Sequence, residues 1–147
     1  MNVRIFSILT IFVFAVAAMA CDPPDTDGEA DDDGEVTADG PSGIDDGGIS
    51  DFPELDDDLV AEGEDLFRTE GCVGCHQMDS DGAGPALGDV TDRRNASWIA
   101  RVIMHPDQMR DQDPEFQAVG EDFPAPMPAT NVSPEAAEAI IAYLKSQ

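Results

Sequence analysis

The sequence predicts a small all-α domain with three main helices and long loops, and three observations carry that expectation. Apolar residues recur at the helical period in three segments, and no segment shows the alternation of a strand. The loops are also too long for so small a core, unless something inside holds them. A chain of 147 residues suits one modest domain with tails.

The start, MNVRIFSILTIFVFAVAAMAC, has a short basic head, an apolar run from Ile5 to Ala18 and small residues before Cys21. The run is shorter than the roughly 20 residues of a membrane-spanning helix. It has the layout of an export signal over residues 1–20, which places the mature chain on the periplasmic side of a bacterial membrane. Ala18-Met19-Ala20 suits ordinary signal removal. Ala-Met-Ala-Cys also resembles a bacterial lipobox, with Ala18 where Leu is usual. Lipidation would give a purpose to Cys21, otherwise an odd thiol in an exported protein, and would anchor the chain to the membrane. An uncleaved anchor is the third alternative.

Residues 21–57 read as an acidic, disordered tether. From Cys21 to Asp58 there are 16 Asp and Glu and no Lys or Arg, with many Gly and Pro. Such a segment cannot bury enough apolar surface to offset the entropy of ordering it, and its charges repel one another. The spacing of a calcium-binding loop is not met. The whole chain has a net charge of −25. That excludes nucleic acid as a partner, since phosphate binding needs a basic footprint. It suits a redox partner with a basic docking surface, and equally the general surface acidity of salt-adapted proteins.

The folded part is expected over residues 58–147. Asp56, Asp57 and Asp58 suit a helix N-terminus. Leu59, Gly63, Leu66 and Phe67 then share one face, and Gly71 is placed as a C-terminal stop. A second helix is expected over Ser97–His105, with Trp98, Ile99, Val102 and Ile103 as its stripe and Pro106 ending it. The third runs over Pro134–Ser146, capped by Ser133, with Ala137, Ile140, Ile141 and Leu144 inward. Between the last two, Pro106–Val132 reads as a long irregular stretch with prolines at 106, 114, 124, 126 and 128. A core this small needs a staple.

Cys72-Val73-Gly74-Cys75-His76 supplies one, because it is the attachment pattern of a c-type haem. Two thiols two residues apart match the two vinyl groups of the porphyrin, and the adjacent histidine reaches the iron. A structural zinc site needs four N or S ligands, and only His105 and remote Cys21 remain to complete one. A thioredoxin-like pair would need a βαβ setting, which the sequence lacks. For the far side of the iron the sequence offers Met78, Met104, Met109, Met127 and His105.

From about Asp58 to Gln147 the chain resembles the class I monohaem cytochromes c. The resemblance rests on GEDLF (Gly63–Phe67), CVGCH, GPAL (Gly84–Leu87), a Trp-bearing helix, PMP around Met127 and a last helix ending AYLKS. It implies one haem c bound through Cys72 and Cys75, with His76 and Met127 as iron ligands. It also implies that the Pro85 carbonyl holds the free ring nitrogen of His76, and that the first and last helices cross with Gly63 near Tyr143. Trp98, Arg93 and Arg94 lie where the family often contacts haem propionates, though core packing and solvated surface explain them equally well. The implied function is a non-enzymatic, tethered carrier of single electrons between membrane or periplasmic redox enzymes. The alternatives are a haem subunit of a larger oxidoreductase complex and an open-site haem sensor or peroxidase-like enzyme.

Overall fold

In chain order the helices are α1 (Asp57–Thr69), α2 (Val90–Arg93), α3 (Ala96–Met104), α4 (Pro106–Gln112), α5 (Pro114–Glu121) and α6 (Pro134–Lys145). A 3₁₀ turn covers Cys72–Gly74, and a two-residue antiparallel pair joins β1 (Val36–Thr37) to β2 (Gly40–Pro41). The computed structural model describes residues 36–37, 40–41 and 43–147, all within one compact unit. The export signal and Cys21 lie outside the described residues.

The crossing of α1 and α6 is the frame. Asp56 caps α1, its Oδ1 accepting from the backbone N–H of Asp58 and Leu59 at 3.0 and 3.2 Å. Arg68 closes the other end through Glu64 and Asp65, each at 2.9 Å. Ser133 caps α6 by accepting from Ala136 N–H at 3.3 Å, with Pro134 at the first position. A Cβ on Gly63 would sit 1.9 Å from the Ala139 carbonyl oxygen and 2.9 Å from Tyr143 Cβ, so only glycine permits this approach. Phe67 and Tyr143 pack beside it with centroids 5.5 Å apart and ring planes tilted by 50°. Helix α3 packs its Trp98, Ile99 and Ile103 into the same core as Ile140, Ile141 and Leu144 of α6.

Two expectations need correction. The three main helices stand as α1, α3 and α6, but the stretch read as irregular contains α4 and α5. Pro106 and Pro114 each stand at the start of a helix, where the missing N–H costs nothing. Asp113 links the two, ending α4 and accepting from Phe116 N–H at 2.8 Å to begin α5.

The tether expected to run to residue 57 is also shorter, because residues 43–56 lie against the domain. Ile44 and Ile49 join the core at 3% and 8% exposure. Arg101 Nε donates to the Ile44 carbonyl at 3.0 Å, Ser97 Oγ to Asp46 at 2.8 Å, and Lys145 Nζ to the Pro53 carbonyl at 3.1 Å. Gly47, at φ +67°, leaves no room for a Cβ beside Pro134. Full burial of an isoleucine contributes roughly 1.5–3 kcal/mol. Two such residues hold a segment whose average composition reads as unfolded.

Candidate functional site

Gly71, at φ 86°, turns the chain out of α1 and into the 3₁₀ turn that carries Cys72. Cys75 N–H and His76 N–H both return to the Cys72 carbonyl, at 3.1 and 3.0 Å. This winding brings both cysteines and the histidine onto the wall of one cavity of about 610 Å³. Cys72 is half-buried, and burial pushes its thiol up from the ordinary range.

The following loop clamps the imidazole. Gly84 N–H donates to the Cys75 carbonyl at 3.0 Å, and Leu87 N–H to the Gln77 carbonyl at 2.9 Å. His76 Nδ1 lies 2.9 Å from the Pro85 carbonyl oxygen. A carbonyl can only accept, so Nδ1 carries the proton and Nε2 keeps its lone pair for a metal. A Cβ on Gly84 would come within 2.7 Å of His76 Cε1, so the glycine lets the backbone lie flat against the ring.

The rest of the wall is mainly apolar and includes Leu87, Val90, Ile99, Ile103, Ile140 and Leu144. Met127 lines it from the segment before α6, where Arg110 Nη1 donates to the Met127 carbonyl at 3.3 Å. Thr130 Oγ1 fastens the same segment to the Ile103 carbonyl. Of the five side chains weighed as a sixth ligand, Met127 alone lines this cavity. Met104 and Met109 are buried in the core, at 8% and 0% exposure, and Met78 lines a smaller cavity of about 200 Å³. His105 lies at the junction of α3 and α4.

Arg93, Arg94 and Trp98 also line the cavity. Arg93 is drawn to Asp89 at 2.7 Å and Arg94 to Glu115 at 2.7 Å, the latter lying 4.8 Å over the Trp98 ring. Trp98 Nε1 donates to the buried carboxylate of Asp113 at 2.9 Å. Arg110, Asp113 and Thr130 reach this site through partners 17, 15 and 27 positions away, contacts that no local pattern announces.

The donor set fits a flat apolar group linked to two thiols and bound through imidazole. The volume lies within the roughly 300–1,000 Å³ of ligand pockets. The walls supply apolar contact, and the Pro85 contact presents a single nitrogen lone pair.

A family model described as cytochrome c matches residues 60–147. Cytochrome c-551 of Pseudomonas denitrificans is 31% identical over 84 residues, which are 56% of this chain and 93% of that protein. Cytochrome c from Rhodothermus marinus superposes with a TM-score of 0.61 at 35% identity, over 63% of this chain and 79% of that one. An engineered form of the same protein gives 0.60 at 33% identity, over 63% and 80%. The family match begins after the segment 43–56 that packs on the domain.

Proposed function

The chain belongs to the cytochrome c family, whose members carry covalent haem c and transfer electrons, and on that premise we propose that it is a tethered single-electron carrier. Cys72 and Cys75 would hold one haem c by thioether bonds, and His76 and Met127 would ligate its iron. The observation that carries this reading is the shared cavity wall, on which Cys72, Cys75 and His76, the last oriented by Pro85, lie together with Met127.

Bound in this way, haem c supplies a one-electron iron couple. The residues around it keep that couple closed and dry. Pro85 fixes the tautomer and direction of His76 and raises its basicity as a ligand. Met127 would fill the position that a substrate would need, and a thioether there would favour a relatively high reduction potential. The apolar walls would keep water from the group, so that an electron could pass with little rearrangement.

The partners are redox proteins with basic docking surfaces. Residues 59–147 hold 16 acids against six basic residues, a net of −10. Those six are already engaged within the chain: Arg68, Arg93, Arg94 and Arg101 with carboxylates, Arg110 and Lys145 with backbone carbonyls. The surplus outside is acidic. With residues 1–20 removed as an export signal and a lipid on Cys21, the carrier works on the periplasmic side of a bacterial membrane.

Mass spectrometry of the mature protein tests attachment, cleavage and lipidation together. The expected mass contains one haem and a lipid on Cys21. A visible spectrum of the reduced protein, with and without carbon monoxide, tests closure. No change on adding the gas is expected, and ready binding would replace the carrier by an open-site sensor or enzyme.

A further inference from the structure

Three guanidinium groups line the haem cavity, and their surroundings differ. Arg93 meets Asp89 at 2.7 Å and also donates to the Ala86 carbonyl at 3.2 Å. Arg94 meets Glu115 at 2.7 Å. Arg110, half-buried on α4, donates to the Met127 carbonyl at 3.3 Å, and among the described residues no carboxylate lies within ion-pair distance of it. The acids are not scarce: residues 59–147 contain 16 of them for six cations. A cation withdrawn from water is costly unless an anion or hydrogen bonds compensate it. Two other donors on this wall are committed elsewhere, Trp98 Nε1 to Asp113 and Thr130 Oγ1 to Ile103.

We infer that Arg110 is a positioning residue that takes up a carboxylate of the bound haem with one edge of its guanidinium while holding the Met127 carbonyl with the other. This rests on Met127 being the sixth ligand. A guanidinium has five N–H donors in a rigid fork, enough for a bidentate carboxylate and a carbonyl together. The haem propionate then replaces the carboxylate that the chain does not supply. Arg93 and Arg94 are already neutralised by the chain and are secondary. The consequence is a link between the charge at the cavity edge and the segment that carries the ligand. Loading the haem fixes Arg110, and Arg110 fixes Met127.

The test uses the holoprotein and two readouts, the midpoint potential and carbon monoxide binding by the ferrous form. Arg110→Gln removes a positive charge beside the haem and is expected to shift the midpoint downward, by more than Arg94→Gln does. It also weakens the hold on Met127, and loss of one charge-assisted hydrogen bond is expected to raise the fraction binding carbon monoxide roughly tenfold. Arg110→Lys keeps the charge without the fork, so most of the midpoint should return while the raised binding remains. If Arg110→Gln does not accumulate with haem, Arg110→Lys carries the test, and wild-type carbon monoxide behaviour there overturns the link. Met127→Ala is run in parallel. If it opens the iron and the Arg110 variants change neither readout, Arg110 has no such role and the ligand assignment stands. If Met127→Ala leaves the iron closed, the ligand assignment fails first and takes the link with it. A larger midpoint shift in Arg94→Gln than in Arg110→Gln moves the carboxylate to Arg94 and overturns the proposal.

Discussion

The wall of the cavity that carries His76 and the wall that carries Met127 are built by opposite means. The first is closed by the chain's own backbone over a short span. Cys75 and His76 return to Cys72, Gly84 to Cys75, Leu87 to Gln77 and Gly88 to Met78, all between 2.9 and 3.1 Å. The Met127 segment has no such ladder among the described residues. It is held by Arg110, 17 positions away, and by Thr130 on Ile103, 27 positions away. A wall braced by local backbone bonds forms with its own turn, whereas a wall braced by distant side chains needs α3 and α4 in place first. The Met127 side is therefore expected to open at lower free energy.

The largest effect expected from this contrast is at Met127 itself. Met127→Ala should lower the midpoint potential, open the sixth position and let carbon monoxide bind the reduced haem. His76 and both thioether links should remain, so the protein should stay red. Met104→Ala and Met109→Ala sharpen the comparison. Both side chains are buried, so each should cost about 2–5 kcal/mol of stability while the iron stays closed. An opened iron in either of those, with Met127→Ala silent, would reverse the assignment of the walls.

Next comes the rigidity of the His76 wall. Gly84→Ala places a methyl 2.7 Å from His76 Cε1, against a ring that Pro85 already fixes. Overpacking of this kind costs about 1–3 kcal/mol. The expected result is a lower melting temperature together with a shifted potential, since the imidazole must tilt away from Pro85. A variant with unchanged stability and potential would show that this wall yields as readily as the other.

The same contrast explains what the sequence made legible. The attachment part of the His76 wall could be read because its chemistry is contiguous, CVGCH being a complete pattern, while Pro85 was legible only through the family resemblance. The stripes of α1, α3 and α6 were readable for the same reason, and Gly63 stands against Ala139 and Tyr143 as the resemblance implied. Pro106 and Pro114 misled because a proline marks the end of one helix and the start of the next with equal force. Ile44 and Ile49 were hidden in acidic surroundings, since composition averages over a segment and burial acts on single side chains. Asp113 stands three residues before Phe116 as a cap, but its bond to Trp98 and the contact of Arg110 with Met127 could not be found by spacing. Their partners meet them only after the helices pack.

A smaller effect is expected at Thr130. Thr130→Val removes the hydroxyl that fastens the Met127 segment to the Ile103 carbonyl and nearly keeps the volume. The loss is about 1 kcal/mol, with the carbonyl left unsatisfied as its main part. Chemical denaturation measures it, and carbon monoxide binding should rise slightly with it. Destabilisation with no gain in binding would mean that Arg110 alone holds the Met127 segment.

The smallest effect lies away from the haem, in the other segment held by distant side chains. Asp46 accepts from Ser97 Oγ at 2.8 Å and meets Arg101 at 3.3 Å, partners 51 and 55 positions away. The Ser97 hydrogen bond, with Gly48 N–H and the Arg101 charge, holds the Asp46 carboxyl below its ordinary value against a smaller opposing effect of burial. A carboxyl depressed in the folded state contributes stability that is present above the unfolded value, about 3.9 for aspartate, and is lost as pH falls through the lower folded one. The pair is partly exposed, so the contribution is expected to be below about 1 kcal/mol. Acidifying the protein from pH 5 toward pH 3 should therefore loosen residues 43–56 before it disturbs the haem spectrum, and limited proteolysis by an acid-active protease near Gly47 would register the loosening. Ser97→Ala removes the largest cause of the shift and should flatten that pH dependence while leaving the midpoint potential unchanged. Cleavage that rises equally in wild type and Ser97→Ala would mean that Ile44 and Ile49, not Asp46, decide when the segment lets go.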